Sequence, residues 1–261
     1  MPSHIRLAAA AAPLLAGLLS GCAATDPRDP FESYNRAVFA FNEGVDRAVV
    51  KPVAEAYRDH VPGPVRRGVH NVFSNLDDVL VFLNDLLQFK FRQAAEDFTR
   101  FFYNTFLGLG GIFDVATPLG LPKHNEDLGQ TLGYWGVGSG PYLVLPFLPP
   151  STVRDTVGFA GDALVDPVYR ISDQTVLWSA IVLETVDQRA QLLSASRVLD
   201  EAALDRYAFV RDAYLQRRLN LVHDGRPPQD GAPPHPPGAG DADLDLELEL
   251  ELERELKQPA P

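Results

Sequence analysis

The chain has 261 residues, a formal net charge of −12 and one cysteine. That length suits one substantial domain, the acidic balance offers no basic face for a nucleic acid partner, and a lone cysteine leaves no thiolate metal cluster. Residues 241–257 hold eight acids and two bases, which is half of the net charge, so the rest of the chain is only mildly acidic.

In chain order, the first feature is the run Leu7–Leu19. Its 13 residues are apolar or small, with Pro13 inside and Arg6 before it. It is too short to cross a bilayer and matches the apolar segment of a signal peptide. Leu19-Ser20-Gly21-Cys22 follows directly and reads as a lipobox. Residues 1–21 are therefore expected to be removed, Cys22 to carry the lipid anchor, and residues 22–28 to serve as a tether. Several acyl chains on one cysteine hold a protein on a membrane almost permanently. Ala23-Ala24, with no Asp after the cysteine, resembles the pattern of lipoproteins exported to the outer membrane, on its periplasmic side. Beyond the signal, no run of 18 apolar residues occurs.

From Asp29 the spacing is helical. Asp29, Pro30 and Glu32 read as N-cap, first position and third position of a helix. Phe31, Tyr34, Val38, Phe41, Val45 and Val49 then recur at intervals of 3 and 4 until Pro52. The turn Val61-Pro62-Gly63-Pro64 leads to a second helix towards Ser74, and Leu76, Val79, Leu80, Leu83, Leu86 and Leu87 continue the period. In the next helix Phe91, Ala94, Ala95, Phe98, Phe101, Phe102, Thr105 and Phe106 mark an apolar face, opposite Arg92, Gln93, Glu96, Asp97 and Arg100. Helices over about 174–194 and 198–219 close a domain of residues 29–222. The fold class is all-α. Residues 223–261, rich in proline and then in alternating acid and leucine, read as a disordered, dispensable tail.

Twelve of the 15 phenylalanines lie between Phe31 and Phe113. They fit either an aromatic-rich core or apolar helix faces at a membrane interface; the mixed-sign polar faces favour insertion over electrostatic adsorption. Between the helices, residues 129–140 hold five glycines. This stretch reads as a structural hairpin or as a mobile loop gating a passage, with Gly133, Trp135, Gly136, Gly138, Gly140 and Pro141 as its candidate residues. It is no phosphate loop, because no Lys-Ser/Thr pair follows and the GxGxxG spacing is absent. His60, His70, His124 and His223 lack metal-ligand spacing, and Gly138-Ser139-Gly140 is not a nucleophile elbow. The residues argue against an enzyme and call for no cofactor.

Asp29-Pro30-Phe31-Glu32, Asn35-Arg36, Phe41-Asn42, Lys51-Pro52, Val61-Pro62, Arg100-Phe101, Asn104-Thr105, Gly110-Gly111, Asp114, Gly129-Gln130-Thr131-Leu132-Gly133, Gly140-Pro141-Tyr142 and Arg154-Asp155 resemble, in order and spacing, the MlaA (VacJ) outer-membrane lipoproteins over residues 29–215. Gln88-Phe89, Leu128 and Pro149-Pro150 depart from the usual pattern, affecting local turns. The resemblance implies a ring of amphipathic helices embedded in the inner leaflet of the outer membrane, pierced by an amphipathic channel. It implies extraction of glycerophospholipids from the outer leaflet, delivery to a soluble periplasmic lipid carrier of an inner-membrane ABC transporter system, and association with a trimeric porin. Arg154, Asp155 and Asp162 are expected to line the polar side of that channel, or else to form an ordinary helix start. A structural lipoprotein scaffold, and a phospholipid or cell-wall hydrolase, are the rival readings.

Overall fold

The computed structural model describes residues 26–196 and 203–227. Cys22, the expected signal and nearly all of the acidic tail lie outside the described residues. Eight α-helices appear among those described: α1 Glu32–Val45, α2 Lys51–His60, α3 Gly63–Leu87, α4 Phe91–Phe106, α5 Leu128–Tyr134, α6 Val153–Asp162, α7 Gln174–Gln191 and α8 Arg206–Val222. The described strands, β1 Tyr142–Leu143 and β2 Ser151–Thr152, pair antiparallel with Tyr142 opposite Thr152. The fold is all-α. No described helix is long and apolar enough to cross a membrane.

Two local expectations are corrected. Asp29 does not cap the first helix: α1 starts at Glu32, after Phe31. The Asp29 side chain is instead fully buried, where it accepts bonds from Asn35 Nδ2 at 2.8 Å, Tyr207 Oη and Arg211 Nη1. Pro52 does not end the helical path either. The chain takes one π-helical turn over Asp46–Val50 and re-enters α-helix with Pro52 in the first turn of α2. A proline lacks an N–H to donate to the preceding turn, and a wider turn just before it accommodates the loss.

The short link Gln88–Lys90 folds α4 back along α3, with Phe89 taking a positive φ of 63°. Helix α2 packs on α7, α5 on α6, and α8 on α5. Two asparagines seven residues apart on α1, hence on one face, hold the extended segment after the glycine-rich stretch. Asn35 donates to the Tyr142 carbonyl at 3.0 Å and accepts from Val144 N at 2.9 Å. Asn42 donates to the Leu145 carbonyl and accepts from Phe147 N, both at 2.9 Å. Asn35 is fully buried, so Asn35→Ala strands three polar partners without water. The expected cost is about 2–4 kcal/mol in denaturant unfolding, and a loss under 1 kcal/mol would refute the clamp.

Candidate functional site

The burial pattern inverts that of a water-soluble bundle. Fully buried apolar residues among those described are few: Ala54, Val81, Ala94, Ala116 and Val144, with Tyr142 and Leu193 as the large ones. Asp78, Asp85, Asp97, Arg100, Glu126, Arg154, Asp155 and Arg211 are buried with them. Helix α4 carries the inversion most clearly. Its buried stripe is Ala94, Asp97, Arg100 and Asn104, at spacings of 3, 3 and 4. Phe91, Phe98, Phe102 and Phe106 face outward, Phe106 at 66% exposure against 0% for Asp97. The helical period is the expected one, but Asp97 and Arg100 lie inside together with Ala94, which was expected on the apolar face, and Arg92 of the expected polar face is exposed. On α3 the buried stripe is likewise Asn75, Asp78, Val81, Asn84 and Asp85.

Buried polar groups must find partners, and here they bind each other across the α3–α4 pair. Asn75 donates to Thr105 Oγ1 at 2.9 Å. Asp78 holds Lys123 and lies 3.7 Å from Arg100 Nε. Asn104 Oδ1 accepts from Val115 N at 2.8 Å and Ala116 N at 3.0 Å, fixing the loop after α4. Gln88 links Glu126, at 2.8 Å, to Thr131, and Thr131 donates to Asn84 at 2.8 Å. These last bonds tie the end of α3 to α5.

Asp85 and Asp97 meet inside this seam, both with no exposure. His124 Nδ1 lies 2.8 Å from one Asp97 oxygen, and no donor reaches either Asp85 oxygen among the described residues. Burial, reinforced by Asp97 beside it, pushes the Asp85 carboxyl up to about 9. Asp85 therefore holds its proton at neutral pH. An unfolded Asp titrates near 4, so the folded state binds the extra proton between roughly pH 4 and 9. Its stabilisation is complete below pH 4 and is lost as pH rises through 9. Asp85→Asn supplies a permanent donor. It is expected to flatten the stability profile from pH 5 to 9 and to gain about 1–2 kcal/mol at pH 8. Parallel wild-type and variant profiles would contradict a protonated Asp85.

The second charged centre lies where α5, α6 and α8 meet. Arg154 donates through Nε and Nη2 to Asp155 Oδ1 at 3.0 and 2.9 Å. Arg218 Nη2 reaches Asp155 Oδ1 and Asp127 Oδ1, each at 2.9 Å, and Tyr214 Oη donates to Asp155 Oδ2 at 2.7 Å. Burial alone would raise both carboxyls. Arg218, with the Gln130 N–H on Asp127 and Tyr214 on Asp155, outweighs it and holds both below the usual carboxylate range. The helices approach closely because glycines face each other: a Cβ on Gly158 would lie 2.3 Å from Gly129 N. A Cβ on Gly133 would lie 2.7 Å from Arg154 Nη1, so Gly133 belongs to the α5 packing surface. Asp162 stands apart from this cluster. It accepts from Leu128 N at 2.9 Å, at the start of α5, and from Asn84 at 3.1 Å; burial raises its carboxyl despite those bonds.

The rest of the glycine-rich stretch forms an exposed loop tied to the same centre. Gly136 and Gly140 take positive φ of 87° and 66°, a conformation side chains disfavour. Arg154 N donates to Ser139 O and Val153 N to Pro141 O, both at 3.1 Å, and Arg154 Nη1 reaches Val137 O at 3.4 Å. Trp135 is half exposed, and its indole N–H donates to Leu87 O at 3.1 Å, at the end of α3. Gly138 is exposed. Helix α6 is capped by Thr152, whose hydroxyl accepts from Asp155 N at 3.2 Å. Sequence reading paired Arg154 with Asp155 but overlooked Asp127, Tyr214 and Arg218. Their signal was present as Arg211, Tyr214 and Arg218, a polar stripe at helical spacing on a weakly amphipathic helix.

A helical protein with aromatic groups outward and charges inward presents an apolar face suited to a lipid or protein partner. A family model described as MlaA lipoprotein matches residues 27–221, and this chain belongs to that family of membrane-associated lipoproteins. Among its relatives, the "Intermembrane phospholipid transport system lipoprotein MlaA" of Shigella flexneri is 42% identical over 218 residues, covering 80% of this chain and 86% of the relative. The protein of that name from Escherichia coli (strain K12) is 41% identical with the same coverage. The one from Haemophilus influenzae is 33% identical over 223 residues, 80% of this chain and 87% of its own. A solved structure described as "Structural basis for maintenance of bacterial outer membrane lipid asymmetry" is 37% identical with a TM-score of 0.67. It covers 74% of this chain and 98% of its own.

Proposed function

We propose that this protein sits in the periplasmic leaflet of the outer membrane, takes mislocalised glycerophospholipids from the outer leaflet and passes them to a soluble periplasmic carrier. That carrier returns them to an inner-membrane ABC transporter system. The observation that carries the reading is the inversion of α3 and α4, with phenylalanines outside and a hydrogen-bonded seam of carboxylates, amides and arginine inside. A phospholipid needs one apolar wall for its tails and one polar wall for its head, and this chain supplies both. The relatives' names, intermembrane phospholipid transport, support the same reading.

Within it, Arg154, Asp155 and Asp162 form part of the polar wall, and Gly133 to Pro141 form the gate. The support is that the Arg154 guanidinium binds both Asp155 and the Val137 carbonyl, while its backbone N–H holds the Ser139 carbonyl, so the charged centre and the loop share one residue. Cys22 provides the anchor, and a trimeric porin provides the lateral partner. The protein works as a transport component with no bond-breaking step of its own; net movement draws on the lipid gradient or on the downstream transporter. Purification from native membranes tests this. Intact phospholipid should copurify and leave only when a periplasmic carrier is supplied. Release of fatty acid or lysophospholipid would point to a hydrolase, and absence of bound lipid to a scaffold.

A further inference from the structure

We propose that a separate pocket, between the start of α3 and the ends of α2 and α7, binds the phosphate of a phospholipid headgroup. This rests on the reading that the chain is surrounded by phospholipid. The pocket is about 280 Å³ and is lined by Tyr57, Arg66, Arg67, His70, Asp187 and Gln191, with Gly63 and Ala190. It shares no residue with either charged centre described above.

Its floor is a closed hydrogen-bond set. Asp187, almost fully buried, accepts from Tyr57 Oη at 3.1 Å and from Gln191 Nε2 at 2.8 Å. His70 Nδ1 lies 2.7 Å from Gln191 Nε2 and 3.3 Å from Asp187. With Nδ1 held there, the other ring nitrogen of the half-exposed His70 has no hydrogen-bond partner among the described residues. The rim differs. Arg66 gives only its Nε, to the Val61 carbonyl at 3.1 Å. Among the described residues, no carboxylate comes within ion-pairing distance of Arg66 or Arg67. The neighbouring Asp59 is engaged by Arg58 at 2.8 Å.

Arg66 is part-buried and Arg67 exposed, so both can reach a ligand, and their location favours an anion. Helix α3 runs 25 residues, has no side-chain cap and has no acid in its first turn. Arg67 folds back so that Nη1 would lie 3.7 Å from a Cβ on Gly63, at the helix start. Two guanidiniums therefore sit at the positive end of a long helix dipole, where an anion is favoured and a cation is not. They stay unpaired in a chain with 35 acids to 23 bases. A tetrahedral oxyanion resolves the conflict: it takes the guanidinium forks and the imidazole N–H, while two arginines outweigh the one satisfied carboxylate. Val53 and Val65 are exposed on the same two helices, α2 and α3. They offer apolar surface to an esterified, tail-bearing phosphate and nothing to a free one.

The test uses the full chain in non-ionic detergent, titrated with phosphatidylglycerol and with diacylglycerol of the same tails, and read by native mass spectrometry. Wild type is expected to prefer the phosphate-bearing lipid by roughly tenfold or more. The Arg66→Gln/Arg67→Gln variant should lose that preference, whereas Arg47→Gln/Arg170→Gln, of equal charge change elsewhere, should keep it. Arg67→Gln alone repeats the comparison without touching the Arg66 bond to Val61. Retained preference in the pocket variants, or equal loss in the control, overturns the proposal. Inorganic phosphate competing as well as the lipid would make this a free-anion site and also overturn it. Equal binding of both lipids by wild type defeats the pocket and leaves the transport reading standing; binding of neither defeats the transport reading itself.

Discussion

Replacing Phe102 and Phe106 together with Asp is expected to abolish spontaneous insertion of the folded protein into phospholipid vesicles. Both rings lie on the outer face of α4, 45% and 66% exposed, and pack on each other at a tilt with centroids 4.5 Å apart. Phe89, Phe91, Phe98 and Phe113 extend the same exposed surface. Moving each half-exposed ring from water into lipid recovers roughly 1 kcal/mol, so the six together supply about 6 kcal/mol. Each Asp forfeits that gain and adds roughly 2–3 kcal/mol of transfer cost. The pair should weaken vesicle partitioning by more than ~100-fold. The comparison belongs in a Cys22→Ala background, so that a lipid anchor does not mask it. The circular dichroism spectrum should stay unchanged, because the rings touch little of the interior. Undiminished flotation with vesicles would mean that the exposed phenylalanines face something other than lipid.

Arg218→Met should destabilise the protein by about 1–3 kcal/mol, the cost of losing charged hydrogen bonds to a part-exposed Asp127 and to an Asp155 that keeps Arg154 and Tyr214. Arg218 bridges Asp127 and Asp155, and its loss sets two carboxylates against each other at the junction of α5, α6 and α8. The pH signature is opposite in sign to that of Asp85. The depressed carboxyls of Asp127 and Asp155 contribute stability that is present above an unfolded value near 4 and lost as pH falls below it. The variant should therefore show a smaller drop in stability between pH 5 and pH 2 than wild type. Asp155→Asn tests the same centre from the other side and should also loosen the Val137–Pro141 loop, read as faster amide exchange there. A stable Arg218→Met with an unaltered acid limb would show that the cluster is incidental.

Helix positions were readable because apolar side chains recur every three to four residues, whatever surrounds them. On α4 the stripe through Phe91, Phe98, Phe102 and Phe106 was visible in the sequence, yet the buried stripe proved to be Asp97, Arg100 and Asn104. Periodicity tells which face is apolar; it does not tell whether water or lipid lies beyond it. Asp29 misled for a related reason. Its sequence context fits a helix cap, but the partners that bury it, Tyr207 and Arg211, lie almost 180 residues away. The Arg154–Asp155 pair was visible as neighbours, whereas Arg218 and Asp127 joined them only through tertiary packing over Gly129 and Gly158. The pocket at Arg66 and Arg67 could not be read from the chain at all, since its floor comes from α7.

The most direct test of phospholipid removal is the glycerophospholipid content of the outer leaflet in cells lacking this protein, measured beside cells complemented with wild type. The account predicts a rise on deletion that wild type reverses. An outer leaflet unchanged by deletion would contradict it.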